Sequence, residues 1–410
     1  MSSETRNPYV GPRTFEEQDA NLFFGRERES RDLLSLVITE PLVLFYAESG
    51  AGKSSIINTR LIPGLREEQF NILPTGRVGG NLPDDLEDVP NIFVFNLLAS
   101  LDKGKNTPQA LADLTIVEYL RMFKVVAAED HDTFYDELGE ESARVLIIDQ
   151  FEEIVTTNLD RWQDREGFFE QLSEAIREDQ LLWVVLTLRE DYVAALEPYA
   201  RLMPNRLRAR FYMQRMKADA AEQAIEQPAA LAGRPFAPGV ARQLVDNLRQ
   251  LHNDDGQDKT LGEYVEPVQL QVVCFQLWNN LEGRPLGPIT AQDLEELGNV
   301  DQALGEFYEH ALAGALQNTN VSEVAIRNWF ERHLITEANT RGTVYQGAKE
   351  TAGMPNEVVL LLANQYLLRA EQRAGGMWYE LVHDRFVEPI LQANQTWRLK
   401  QSPLLRAAEE

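Results

Sequence analysis

The chain has 410 residues, 44% of them apolar, which is enough for roughly two to four compact domains. Its formal net charge of −26 repels nucleic-acid backbones and anionic membranes, and its single cysteine, Cys274, excludes an internal disulfide or a site built from several thiolates. Because the N-terminus is polar and no stretch approaches the roughly 18 apolar residues of a membrane span, we expect a cytoplasmic protein with no membrane or nucleic-acid partner.

Apolar runs bounded by polar or turn residues predict the strands of a sheet. Four runs are clear and a fifth is weaker. Helical patterns separate them, which is typical of a parallel sheet with crossover helices on both faces. We therefore predict an N-terminal arm over residues 1–22 and an α/β nucleotide-binding domain over 23–216. The five runs cover residues 42–46, 92–97, 145–148, 183–188 and 211–216.

The remainder of the chain shows two further patterns. Amphipathic helices predict a helical domain over residues 217–288. Residues 289–395 begin with helices and end with two short β-like runs, 367–372 and 377–382, separated by a glycine turn. Helices followed by a hairpin are typical of a winged-helix domain. We expect residues 396–410 to be a tail that leads into a sensor.

The strongest motif follows the first predicted strand. Residues 47–54 read AESGAGKS, the phosphate-binding loop pattern with alanine in place of the first glycine. A strand before this loop and a helix after it direct backbone N–H groups and the helix dipole at phosphate oxygens. Lys53 is predicted to lie between the β- and γ-phosphates and Ser54 to ligate Mg²⁺. The predicted nucleotide-binding residues here are Ala47, Gly50, Ala51, Gly52, Lys53, Ser54 and Ser55.

The third predicted strand ends in carboxylates. Ligands of doubly wound sheets bind outside the carboxyl ends of the strands, so Asp149 is predicted to hold Mg²⁺ through water. Glu152 or Glu153 is the candidate to polarise the attacking water, and the residues alone leave both open. Gln150 stands where many ATPases carry an acid. Its amide can orient water but cannot accept a proton, which predicts slow hydrolysis.

The fourth predicted strand ends with Thr187 and Arg189 at the same edge of the sheet. A guanidinium there would distinguish ATP from ADP through a charge-assisted bond to the terminal phosphate, so Arg189 is a further catalytic candidate. The alternative is a surface salt bridge between Arg189 and Glu190 or Asp191.

Several motifs together resemble the bacterial novel STAND ATPases. The segment FFGRERE at residues 23–29 resembles their hxGRxxE motif, and DQFEE at 149–153, TLR at 187–189 and YELVHD at 379–384 extend the likeness, which spans about residues 7–404. The resemblance implies an α/β P-loop NTPase with an ASCE/AAA-like parallel sheet, followed by a helical domain and a winged-helix domain.

The resemblance also implies further nucleotide contacts. Phe24, Gly25 and Arg26 would line the base and ribose pocket, where the alternative is a structural turn. Pro267 would pack on adenine, although proline is also common in the first turn of any helix. His383 would hold the β-phosphate of ADP in a closed state, and its alternative is a packed histidine beside a helix cap.

The function implied by the resemblance is an ATP/ADP switch with slow hydrolysis. ADP would hold a closed state, and ATP would release a form able to self-associate, in bacterial signalling or antiphage defence, under the control of C-terminal sensor repeats or a separate effector. One alternative is an origin-recognition-like AAA ATPase acting on DNA, but the predicted helix at 357–366 carries no basic residue. Another is a scaffold that keeps ADP without hydrolysing it.

The loop lysine and the histidine predict opposite mutant behaviour. We expect wild type to purify as a monomer with ADP, Lys53→Ala to be empty of nucleotide, and His383→Ala to exchange nucleotide or assemble more readily. Native mass and nucleotide content, with and without ATP·Mg²⁺, measure both properties. Absence of nucleotide from all three proteins would refute the switch.

Overall fold

The computed structural model divides the chain into two compact units. One is Thr14–Arg215, and the other combines Met1–Arg13 with Met216–Glu410. The predicted N-terminal arm is therefore divided between the units after Arg13. The described residues are 7–48, 50–80, 82–83, 86, 88–129, 142–251, 260–297, 300–337, 341–373, 376–382 and 384–400.

The first unit is built on a parallel sheet of five strands. The strands are β1 (Leu42–Ala47), β2 (Asn71–Ile72), β3 (Arg144–Ile148), β4 (Leu182–Arg189) and β5 (Arg210–Tyr212). Their spatial order is β2-β3-β4-β1-β5, so β4 lies between the strand before the loop and the strand that ends in carboxylates. The register sets Ala47 beside Arg189 and Ile148 beside Leu186. All three central strands therefore end at one edge of the sheet.

Helices cover the sheet because its central strands are apolar on both faces. A π-helical segment, Ile57–Leu61, joins α2 to α3, and the chain between β4 and β5 forms two 3₁₀ segments, Glu190–Leu202 and Pro204–Leu207. A shorter 3₁₀ helix, Glu17–Leu22, precedes α1. The helices of this unit are α1 (Glu27–Thr39), α2 (Lys53–Ile56), α3 (Ile62–Glu67), α4 (Ile92–Asp102), α5 (Pro108–Ala112), α6 (Ile116–Glu129), α7 (Glu153–Thr156) and α8 (Asp164–Glu178).

The prediction of a strand at residues 92–97 is wrong, because this run belongs to α4. Nine of the eleven residues of α4 are buried, and a helix that is buried on all sides has no polar face to reveal its period. Asn91 starts the helix: its side-chain oxygen accepts hydrogen bonds from the N–H groups of Phe93 and Val94, both at 3.1 Å. The missing strand position is filled by β2, whose two residues are too few to show a pattern.

The second unit is mainly helical. Its helices are α9 (Ala218–Leu231), α10 (Val240–Leu248), α11 (Pro267–Asn280), α12 (Ala291–Leu297), α13 (Val300–Asn318), α14 (Glu323–Trp329), α15 (Asn356–Asn364) and α16 (Val387–Lys400). The N-terminal segment packs here, because the Tyr9 hydroxyl donates to the carbonyl of Ile225 at 2.6 Å and Asn7 donates to the carbonyl of Phe275. None of the helices in the described residues is long and apolar enough to cross a membrane.

Short strands accompany these helices. The predicted hairpin forms from β13 and β14, which pair antiparallel, and β10 pairs with the other edge of β14. The resulting sheet has the order β10-β14-β13, and α15 lies between β10 and β13 in the chain. The strands are β6 (Met216–Lys217), β7 (Gln250–Leu251), β8 (Thr260–Leu261), β9 (Tyr264–Val265), β10 (Thr343–Tyr345), β11 (Glu350–Thr351), β12 (Met354–Pro355), β13 (Leu368–Arg373) and β14 (Gly376–Leu381).

The cap of α4 yields a stability prediction. Asn91→Ala removes the acceptor for two helix N–H groups and the bond from Asn91 Nδ2 to the carbonyl of Asp164, at 2.6 Å. We expect the free energy of unfolding of the first unit to fall by about 2 kcal/mol. Thr107→Ala, which removes the exposed cap of α5, should lower it by less than about 1 kcal/mol. Equal effects in urea unfolding would contradict the importance of the buried cap.

Candidate nucleotide site

The described residues of the loop after β1 include a left-handed glycine and a lysine that folds back over the loop. Gly52 has φ +98° and forms the N-cap of α2, a left-handed conformation that side chains with a Cβ rarely adopt. The Lys53 Nζ donates to the carbonyls of Ala47 and Glu48, at 3.2 and 3.3 Å. The ammonium is therefore folded back over the loop, at the place where phosphate oxygens bind in such loops. Burial lowers the pKa of Lys53, although nearby carboxylates oppose this shift.

Asp149 lies where β3, β4 and α2 meet. Its Oδ2 accepts a hydrogen bond from the Ser54 hydroxyl at 3.3 Å, and its Oδ1 accepts one from the Thr187 hydroxyl. The hydroxyl of Ser54 and the carboxylate of Asp149 are hard oxygen donors of the kind Mg²⁺ binds, with waters and phosphate oxygens completing its octahedron. Among the described residues, no group of three or more His, Cys, Asp or Glu side chains could hold a metal ion. Magnesium binding by Ser54 and Asp149 remains a prediction, and both side chains offer oxygen donors of the required kind.

Arg77 is a neighbour of this carboxylate that the sequence patterns missed. Its guanidinium lies 3.8 Å from Asp149 Oδ2 and donates to the side-chain oxygen of Gln150 at 2.5 Å. The loop that carries Arg77 extends the sheet, because Gly76 N donates to the carbonyl of Ile147 and Asp149 N donates to that of Gly76. A lone arginine in a glycine- and proline-rich stretch gave no signal, since its position depends on the unpredicted strand β2.

The two candidate glutamates point to different neighbours. Glu152 Oε2 accepts a hydrogen bond from the backbone N–H of Arg189 at 3.3 Å, and the charge of Lys53 acts on it. Glu153 Oε2 accepts one from Gly79 N at 3.0 Å, and the charge of Arg77 acts on it. Burial raises the pKa of both carboxyls above the usual range of a glutamate. Glu152 is thus the carboxylate associated with the lysine of the loop.

Arg189 forms a salt bridge with Asp191, which was one of the alternatives that the sequence left open. Its Nε and guanidinium donate to Asp191, at 3.2 and 2.9 Å, and the guanidinium carbon lies 5.6 Å from the ring centre of Tyr192. A role at the terminal phosphate remains a prediction.

The N-terminal motif contains a buried arginine. The side chain of Arg26 is only 2% exposed, and its guanidinium donates to Glu29, to the carbonyl of Gln214 and to the carbonyl of Ala51. Phe24 is half-buried, and Gly25 is buried with φ +81°. The lining of the base pocket by Phe24, Gly25 and Arg26 remains a prediction.

Three other predicted contacts have different settings. The Ser55 hydroxyl accepts a hydrogen bond from the backbone N–H of Phe15 at 3.2 Å. Pro267 is the first residue of α11, in the second unit. His383 lies outside the described residues. The structure therefore brings together Lys53, Ser54, Asp149 and Glu152 at one edge of the sheet, whereas the roles of Pro267 and His383 stay predictions.

The hydroxyl of Thr187 generates a testable prediction. Thr187→Val keeps the shape of this fully buried side chain but removes its donor to Asp149. We expect the Mg²⁺ concentration for half-maximal ATP hydrolysis to rise about tenfold, because partners that orient a metal ligand have effects of that size. The matched control is Thr157→Val, an equally buried threonine whose hydroxyl bonds to the carbonyl of Glu153. The same Mg²⁺ dependence in both variants would show that Thr187 does not orient Asp149.

Comparisons with known proteins identify the family of this chain. A search of curated proteins finds no match. Similar solved structures include a Walker-type ATPase of Pyrococcus abyssi, with 14% identity, a TM-score of 0.43 and coverage of 92% of this chain and 98% of that one. The ORC2 protein of Aeropyrum pernix in ADPNP–ADP complexes has 14% identity, a TM-score of 0.44 and coverage of 90% and 94%. The family described as Novel STAND NTPase 1 matches residues 8–395. Because this match spans nearly the whole chain, the protein belongs to the novel STAND NTPases, and its sheet and loop are those of a P-loop NTPase.

Proposed function

We propose that this protein is a regulatory ATPase that hydrolyses ATP slowly and switches between ADP- and ATP-bound states. The observation that carries the proposal is the meeting of Lys53, Ser54, Asp149 and Glu152 at one edge of the sheet. Lys53 would neutralise the β- and γ-phosphates, and Ser54 with Asp149 would hold Mg²⁺, which supplies charge stabilisation when it is bound.

Glu152 is proposed as the base for hydrolysis. Its carboxylate would take a proton from water as the water oxygen bonds to the γ-phosphorus. The bond from that phosphorus to the bridging oxygen breaks, and ADP and phosphate leave. A raised pKa brings a carboxylate closer to the basicity that proton transfer near neutral pH requires. Gln150 cannot take this role, since its side-chain oxygen is engaged by Arg77 and an amide does not accept a proton at this pH.

The switch would use the second unit as its moving part. The three-stranded sheet of β10, β14 and β13 next to α15 supports a winged-helix domain there. His383 would hold the β-phosphate of ADP and Pro267 would pack on adenine in a closed state. ATP would favour a second state that self-associates, under the control of a sensor or effector. A ligand shifts such an equilibrium only by its differential affinity for the two states, and Arg189, once freed from Asp191, would provide a contact specific to ATP.

The two glutamates provide the test of this mechanism. We expect Glu152→Gln to slow phosphate release at saturating ATP about a hundredfold while nucleotide stays bound, because only the proton acceptor is lost. Glu153→Gln should slow it less than about tenfold, since the amide oxygen still accepts from Gly79. In wild type the rate should fall as pH drops through the raised pKa of Glu152, because protonation removes the base.

Other outcomes contradict parts of the proposal. A larger loss in Glu153→Gln would assign the base to Glu153. Retention of ADP with no phosphate release from wild type would instead support a scaffold that does not hydrolyse.

A further inference from the structure

The chain passes between its two units at two places, and both lie beside the phosphate loop. The crossings fall between Arg13 and Thr14 and between Arg215 and Met216. In the first unit, Phe15 lies just after the first crossing. Residues 213–215 lie just before the second crossing, and we call these three residues the connector. The connector contacts the phosphate loop, and Phe15 contacts the helix that follows the loop. All of these contacts lie within the first unit.

Arg26 fastens the connector. Its guanidinium donates to the carbonyl of Gln214 at 3.0 Å and to the carbonyl of Ala51, in the loop, at 3.3 Å. Glu29, in the first turn of α1, forms an ion pair with the same guanidinium, with a distance of 2.7 Å between the two groups. A guanidinium has several donors in a rigid plane, so it can join three acceptors where an ammonium on a flexible stem would not. Moving Ala51 away from Gln214 would therefore break a buried, charge-assisted contact.

Three further contacts support the same attachment. The N–H of Met213 donates to the carbonyl of Tyr46, just before the loop, at 3.0 Å. Arg215, the last residue before the crossing, forms an ion pair with Glu48 of the loop. The ring of Tyr212 stacks on that of Tyr46, with centres 5.2 Å apart.

Ser55 fastens the other crossing. Its hydroxyl accepts a hydrogen bond from the N–H of Phe15 at 3.2 Å, and Asn58, one turn further along, donates to the carbonyl of Phe15 at 3.2 Å. Ser55 is the residue directly after the loop lysine and Ser54, so a shift of the loop on binding phosphate reaches Phe15 through one side chain. Phe15 is itself buried and packs on Phe23.

We propose that Arg26 and Ser55 are positioning residues that transmit the state of the phosphate loop to the two crossings between the units. Arg26 acts on the connector and Ser55 on Phe15, and neither guanidinium nor hydroxyl serves mainly as a ligand contact. This proposal rests on the proposed nucleotide switch and names the route by which the site would control the second unit.

Hydrogen–deuterium exchange measured by mass spectrometry tests the route in the full chain. Wild type, saturated with ADP according to its own binding curve, should show about tenfold slower exchange than without nucleotide in peptides covering 9–18 and 211–220. Arg26→Lys should lose this difference at 211–220 and keep it at 9–18. Ser55→Ala should show the reverse pattern. A variant that is merely less stable would change both peptides together.

Two substitutions serve as matched controls. Arg28→Ala removes an exposed arginine from the same helix as Arg26, and Ser173→Ala removes a buried serine from α8. Both should keep the wild-type differences at both peptides. Should Arg26→Lys fail to fold, Glu29→Ala is expected to give the same selective loss at 211–220, because it removes the acceptor that holds the guanidinium.

The possible results separate this inference from the function beneath it. Wild type that binds ADP with protection confined to residues 47–55 would overturn the inference and leave nucleotide binding intact. The inference would also be overturned if Arg26→Lys and Ser55→Ala kept the ADP-dependent exchange differences at both peptides, or lost them at both. A changed preference for ATP over GTP in Arg26→Lys would overturn it too, because that result would mark Arg26 as a base contact. Wild type that binds no nucleotide would refute the proposed function, and the inference with it.

Discussion

The carboxylate of Asp149 organises the site because it accepts hydrogen bonds from two different elements. Ser54 reaches it from the helix after the loop and Thr187 from β4. This is only achievable because β4 lies between β1 and β3. Ser54 bonds to one carboxylate oxygen directly, and Thr187 bonds to the other from the strand that lies between β1 and β3. The order of the strands therefore brings both hydroxyls to the same carboxylate.

Burial gives these groups their chemical character. The pKa of Lys53 is lowered and the pKa values of Glu152 and Glu153 are raised, in each case first by desolvation. Groups whose charged forms are disfavoured by burial are stabilised by a ligand of the opposite charge. A polyphosphate with its magnesium ion offers both signs of charge at short range. In the proposed mechanism, the raised pKa of Glu152 brings this carboxylate closer to the basicity that proton transfer requires.

The phosphate loop and the residue after it also contact residues close to the two crossings between the units. Ala51 and Glu48 contact Arg26 and Arg215, and the following Ser55 contacts Phe15. Backbone and side-chain groups of one short segment thus contact residues beside both places where the chain leaves the first unit. Packed contacts have few alternative arrangements, so under the inference above a small displacement of the loop would be passed on rather than absorbed. In the proposed switch, the position of the loop would thereby link nucleotide chemistry to regulation.

The sequence by itself determined the phosphate loop, the carboxylate after β3 and the α/β class. These depend on neighbours in the chain: a strand followed within eight residues by glycines, lysine and serine, and an apolar strand followed by an aspartate. Tertiary structure decided the rest. It made residues 92–97 a helix, since burial on every side removed the periodic signal, and it separated Glu152 from Glu153 through contacts with Arg189 and Gly79. It also directed Arg26 to carbonyls 25 and 188 residues away. Such partners meet only when the sheet has formed, because nothing in the local spacing of a residue records which distant backbone group will lie beside it.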